Sequence, residues 1–122
     1  MVQLDYRDAR PIYAQIIDRL REQITAGILQ PGDRLPSVRE LAADLAINPN
    51  TIQRSYRALE MDGWIVTVPG KGCFVCSSEK SREQEKNRLL GQFDEICTAL
   101  RALGMTQEEL AERLKKGEST NA

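Results

Sequence analysis

The sequence predicts a mainly α-helical chain with one small β-hairpin, on three observations. Apolar residues recur at helical spacing in separate runs, each bounded by a capping signal. Strand-like composition is confined to Trp64–Val68 and Cys73–Cys76, which flank the turn Pro69-Gly70-Lys71-Gly72. The second and third helices lie about three residues apart, the spacing of a helix-turn-helix. A hairpin directly after the third helix makes the unit a winged helix-turn-helix. A further pair of helices follows it.

The first helix is expected to start at Pro11, a residue suited to a first helical position. Ile12, Ile16, Leu20 and Ile24 form its stripe, with Tyr13 and Ile17 beside them, and Gly27 ends it. Ile28, Leu29 and Leu35 are read as apolar anchors of a short connection that turns at Pro31-Gly32. Ser37 and Glu40 form a capping box for the second helix, whose buried face is Val38, Leu41 and Leu45. Ile47 plugs the turn. Asn48 caps the third helix, Pro49 takes its first position and Gly63 closes it. Trp64 and Tyr56 are read as core.

Ser77–Arg88 is polar and read as the exposed first turns of a helix. Beyond it Leu89, Phe93, Ile96, Leu100 and Leu103 step by 4, 3, 4 and 3, a heptad seam ended by Gly104. Thr106 and Glu109 make a second capping box, and Met105 with Leu110 matches a hydrophobic staple. A last helix carries Leu110 and Leu114 as far as Lys116, and the tail GESTNA is expected to fray. Two short helices have too little core to stand alone. The seam Leu89, Phe93, Ile96, Leu100, Leu103, Leu110 and Leu114 must therefore pack on the first domain or on a second copy, and a homodimer is expected. The division is read as 1–76 for the winged helix-turn-helix and 77–122 for a helical dimerisation segment.

Composition excludes several classes. At 41% hydrophobic and 29% charged the chain is globular. Its apolar runs are too short for a bilayer, and its first residues are no signal peptide, so a cytoplasmic protein is expected and no membrane partner. Three cysteines and no histidine give neither a disulfide framework nor a metal set. Cys73 and Cys76 are spaced as CxxC, but on a strand residues three apart face opposite ways, so they are read as small apolar fillers; Cys97 is read as packing on the seam. No cofactor, metal or catalytic grouping is expected, and the absence of histidine removes the usual pH switch.

The net charge of −1 hides an uneven placement. Residues 1–76 hold nine basic and nine acidic side chains, yet Pro49–Arg57 contains two arginines and no acid, and Gly63–Cys76 one lysine and no acid. On the third helix Asn50, Gln53, Arg54 and Arg57 share one face, opposite Ile52, Tyr56 and Leu59. That division suits a recognition helix, with one side docked on its domain and the other presented to base edges and phosphates. Asn50, Thr51 and Gln53 stand at the front of the helix, where base contacts concentrate; Asn and Gln suit adenine. Of Arg54 and Arg57, one is expected on guanine and the other on phosphate. Lys71 at the wing tip is expected at the minor groove, with Gly70 and Gly72 permitting close approach. Asn48 caps first of all, and Ser37 can both cap and donate to phosphate.

The stretch LPSVRELAADLAINPNTIQRSYRALEMDGWIVTVPGKGCFV resembles the DNA-binding domain of the GntR family of bacterial transcription regulators. The resemblance covers about residues 11–76 and rests on the Pro-Gly-Asp-Arg-Leu-Pro-Ser lead-in, Val-Arg-Glu-Leu, Asn-Thr-Ile-Gln-Arg, the Asp-Gly-Trp stop and the Gly-Lys-Gly wing. It implies that Arg39 contacts a phosphate or a guanine. It also implies a regulator, most naturally a repressor, bound as a homodimer to two-fold related double-stranded operator DNA. The 46 residues after Cys76 depart from members with a large effector domain and are similar to the YtrA-like subfamily, in which the tail serves dimerisation. GMTQEELAERLKKG resembles the start of a Cro-type helix-turn-helix, but no recognition helix follows, and it is read as a capped packing helix.

Two other readings stand beside this one. A winged helix can serve as a protein-interaction module, tolerant of charge changes on its third helix. A ligand- or redox-responsive regulator would place an effector site at the C-terminal helices, or use Cys97. The sequence names no effector.

Overall fold

The computed structural model describes residues 2–120. It contains α1 (Ile12–Thr25), α2 (Val38–Leu45), α3 (Pro49–Met61), β1 (Ile65–Val68), β2 (Gly72–Val75), α4 (Glu79–Ala102) and α5 (Gln107–Thr120). The chain divides into two compact units after Glu83, so α4 begins in the first and continues into the second.

In the first unit α1, α2 and α3 pack around one core. Ile16, Leu20 and Ile24 of α1 meet Leu41 of α2 and Ile52, Tyr56 and Leu59 of α3, and Trp64, Ile65 and Val75 close the core from the hairpin. Pro11 stands just before α1 as its cap rather than as its first helical residue. The reason lies in its extended ψ of 149°, which no helical residue adopts. Ser37 caps α2, its oxygen accepting from the Glu40 N–H at 3.0 Å. Asn48 caps α3 by accepting from the Asn50 N–H at 2.8 Å, with Pro49 in the first turn. Between them Ala46 takes the left-handed conformation, φ 55°. It is the residue that ends α2 and lets the chain turn straight into α3.

Strands β1 and β2 pair antiparallel, Ile65 opposite Val75 and Val68 opposite Gly72. The lead-in to α2 adds a third line to this sheet. Arg34 bridges Phe74, the Leu35 N–H donates to the Cys73 carbonyl, and the Val75 N–H donates to the Asp33 carbonyl. The connection read as a loop is thus anchored through its backbone as well as by Leu35 and Leu29. Ile28, expected as an anchor, is exposed because Gly27 turns the chain outward there. Cys73 packs against the core, and the Cys76 thiol, pushed up from its ordinary pKa by burial, donates to the Gly63 carbonyl at 3.5 Å.

The second unit is a pair of helices. Leu103 lies one residue past α4, in the turn with Gly104, its N–H still donating to the Ala99 carbonyl. The capping box at the start of α5 is reciprocal: Glu109 N–H donates to the Thr106 hydroxyl at 3.1 Å, and Thr106 N–H donates to the Glu109 carboxylate at 3.2 Å. Helix α5 runs through Gly117 to Thr120 instead of stopping at Lys116. The strong cap at its start favours propagation through the polar residues that follow. Asn121 and Ala122, the end of the tail expected to fray, lie outside the described residues.

Candidate nucleic-acid interface

Helix α3 buries Ile52, Ser55, Tyr56 and Leu59 and exposes Asn50, Gln53, Arg54 and Arg57. Two side-chain hydrogen bonds seat the buried face. Ser55 donates to the Tyr13 carbonyl of α1 at 2.9 Å, and Tyr56 donates to the Pro36 carbonyl at 2.8 Å. Burial pushes the Tyr56 phenol well above its ordinary pKa, so it stays a neutral donor. These bonds fix the rotation of α3 about its axis, and that rotation decides which residues face outward. Thr51, at the front of the helix, is half-buried and contributes less outward surface than Asn50.

Ser37 and Arg39 open α2 and are exposed. The Ser37 oxygen is occupied as a cap acceptor, which leaves its proton free to donate outward. Asn48 is likewise exposed with its carbonyl oxygen committed to the cap. Lys71 is exposed at the wing tip, its N–H held by the Val68 carbonyl at 3.0 Å. Gly70 and Gly72 flank it with φ of 76° and 120°, a backbone that favours glycine.

Two participants do not emerge from periodicity. Arg34 is exposed and lays its guanidinium against Gly72, with Nε 3.0 Å from where a Cβ on that glycine would stand. A side chain at position 72 would displace it, so the wing carries Arg34 as well as Lys71. The signal was present in the Asp-Arg-Leu-Pro lead-in, but only the strand pairing brings that segment to the wing. Tyr13 is the second: the Arg54 guanidinium stacks over its ring, 3.6 Å from the centroid.

Charge pairing separates the two sides of this unit. At α1 and in the segment just before it, Asp8 and Asp18 bind Arg10, Asp18 also binds Arg21 at 2.7 Å, and Glu22 binds Arg19 at 3.1 Å. Arg10 holds the Asp8 carboxyl below the usual carboxylate range. By contrast, among the described residues no carboxylate stands within ion-pair distance of Arg34, Arg39, Arg54, Arg57 or Lys71. Glu60, the acid nearest the exposed arginines along α3, accepts from the Thr67 N–H of the wing at 3.2 Å. A domain of zero formal charge therefore presents, on α2, α3 and the wing, cations that stand in no ion pair among the described residues.

A capped helix-turn-helix with a cationic outer helix and a basic wing defines a winged-helix DNA-binding protein. The model of the bacterial regulatory proteins of the gntR family matches residues 12–75, and the chain belongs to that family. It is 37% identical to the HTH-type transcriptional repressor YtrA of Bacillus subtilis (strain 168) over 118 residues, which is 95% of this chain and 91% of that one. A GntR family transcriptional regulator from Listeria monocytogenes shares the fold with a TM-score of 0.74 at 38% identity, over 93% of this chain and 98% of that one. The AraR DNA-binding domain in complex with operator ORE1 superposes with a TM-score of 0.53 at 26% identity, over 62% of this chain and 93% of that one. The protein is accordingly a DNA-binding transcription regulator of the YtrA-like type. No described helix is long and apolar enough to cross a membrane.

Proposed function

We propose that this regulator is a cytoplasmic homodimeric repressor that binds two-fold related operator DNA, one winged helix per half-site. The observation that carries the reading is the set of uncompensated cations on α2, α3 and the wing, beside acids that are paired along α1. Helix α3 enters the major groove. Asn50, Gln53 and Arg57 face base edges, Thr51 supports them at the front of the helix, and Arg39, Ser37 and Asn48 lie along the phosphates. Lys71, between Gly70 and Gly72, and Arg34 approach the minor groove beside it. The AraR domain, similar in fold, is bound to an operator, and YtrA, similar along nearly its whole length, is a repressor; both support the reading. The function is one of binding, with no reaction catalysed.

Dimerisation falls to residues 84–122. There Leu89, Leu90, Phe93, Ile96, Leu103 and Leu114 are exposed, with Leu100 and Leu110 half-buried. So large an apolar surface on one small unit calls for a covering partner, and a second copy supplies the self-complementary one. Half-sites then lie about 34 Å apart, or a multiple of that.

The test is fluorescence anisotropy with DNA from upstream of the protein's own coding region, against scrambled competitor. Tight, competitor-resistant binding at two protomers per site is expected. Arg57→Ala should cost about 1–3 kcal/mol on the preferred duplex and less on scrambled DNA. Wild-type binding that scrambled DNA removes equally well would defeat the proposal.

A further inference from the structure

We propose that Tyr13 is a positioning residue for DNA binding: its ring holds Arg54 against the flank of the recognition helix, where the guanidinium grips a phosphate rather than a base. The inference rests on the regulator reading above. Two arginines one turn apart on α3 are equivalent by sequence, and the structure separates them.

At about 100° per residue, Arg57 stands near the centre of the polar arc formed with Asn50 and Gln53, whereas Arg54 stands at its edge, toward Ser55. Ser55 is buried and hydrogen-bonded to the Tyr13 carbonyl, so this edge of α3 is the one that packs on α1. The Arg54 guanidinium completes the same contact, 3.6 Å from the centre of the Tyr13 ring. The stack therefore draws the charge sideways, off the face that presses into the groove and toward the strand of phosphates bordering it.

Stacking covers one face of the guanidinium and leaves the in-plane N–H donors at its rim free, the geometry that suits two phosphate oxygens. No carboxylate among the described residues competes for them. Tyr13 is itself half-buried on a helix tied to α3, so the ring is a fixed platform and the arginine is ordered before DNA arrives. The phosphate contact then sets the depth and tilt at which Asn50, Gln53 and Arg57 meet the bases.

The experiment uses the full chain with a duplex selected by the wild-type protein from a random-sequence pool, and a scrambled duplex, each titrated over a salt series. Arg54→Ala should weaken binding to both duplexes by a similar factor, leave their ratio unchanged, and reduce the slope of log affinity against log salt by about 1. Tyr13→Leu should weaken both by about 2–5-fold. It should add nothing in an Arg54→Ala background, and Tyr13→Phe should bind as wild type does. Tyr13→Met fills similar space without a ring and serves if the leucine variant melts early.

Loss of the ratio in Arg54→Ala would make Arg54 a base reader and overturn the proposal. A Tyr13→Leu defect that persists without Arg54, or one that Tyr13→Phe shares, would remove Tyr13 from the role while leaving the regulator reading intact. A wild-type protein that enriches no sequence from the pool would bring down the regulator reading and this inference together.

Discussion

The two units of this chain solve the burial problem in opposite ways. Every fully buried apolar side chain among the described residues lies at or before Val75, in a core shared by three helices and a hairpin. The second unit buries none to that degree and leaves Phe93 43% and Ile96 59% exposed. Both contain capped helices with apolar stripes, so local propensity is not what separates them. The first unit has elements on several sides of each stripe, and the second consists of two helices joined by a turn. Capping and periodicity decide that helices form, while the number of layers decides whether they satisfy one another. The first unit thus closes its own core, and the second leaves its apolar stripe exposed.

That contrast can be broken most severely in the second unit. Phe93→Asp should remove about 3–5 kcal/mol of dimer association, by loss of the aromatic contact and by placing a charge in the seam. The melting of the first unit's core, which is built from residues up to Val75, should scarcely move. Sedimentation as a dimer at micromolar concentration would show that the seam lies elsewhere. Leu59→Ala should do the reverse: a fully buried side chain is lost, about 2–5 kcal/mol of folding stability goes with it, and the C-terminal helices still associate. Denaturant titration beside sedimentation separates the two effects.

A smaller change sharpens the picture within the first unit. Tyr56→Phe should cost about 1 kcal/mol at neutral pH through the lost bond to the Pro36 carbonyl. Because burial raises the Tyr56 pKa in the folded state, its contribution is complete below the unfolded value of about 10 and is lost as pH rises through the folded value. The wild-type protein should therefore lose stability on the alkaline side faster than Tyr56→Phe, and parallel curves would dismiss the role given to burial. The smallest effect is expected at the turn. Ala46 pays the left-handed backbone cost that glycine avoids, offset by the extra freedom glycine has when unfolded. Ala46→Gly should raise stability by about 0.5 kcal/mol, and a lower melting temperature would contradict this.

Much of the architecture is legible in the sequence. The caps at Ser37, Asn48 and Thr106, the stripe of α1, the polar arc of α3 and the Gly-Lys-Gly wing are local patterns, and local patterns are set by residues a few positions apart. The errors were also local in kind but tertiary in cause. Ile28 looked like an anchor and is exposed, because being apolar does not determine which way a turn points. Periodicity does not mark Arg34 and Tyr13, because their partners, Gly72 and Arg54, are 38 and 41 positions away.

The sequence by itself determined the fold class, the order of elements, the family and the identity of the presented helix, because each follows from spacing, capping and side-chain type along a continuous stretch. Only the tertiary structure decided which of two arginines one turn apart stacks on Tyr13, that the lead-in strand brings a second cation to the wing, and that Asp8, Asp18 and Glu22 are the acids held in ion pairs at α1. Those are contacts between distant segments, and their energies depend on distances that no linear spacing encodes.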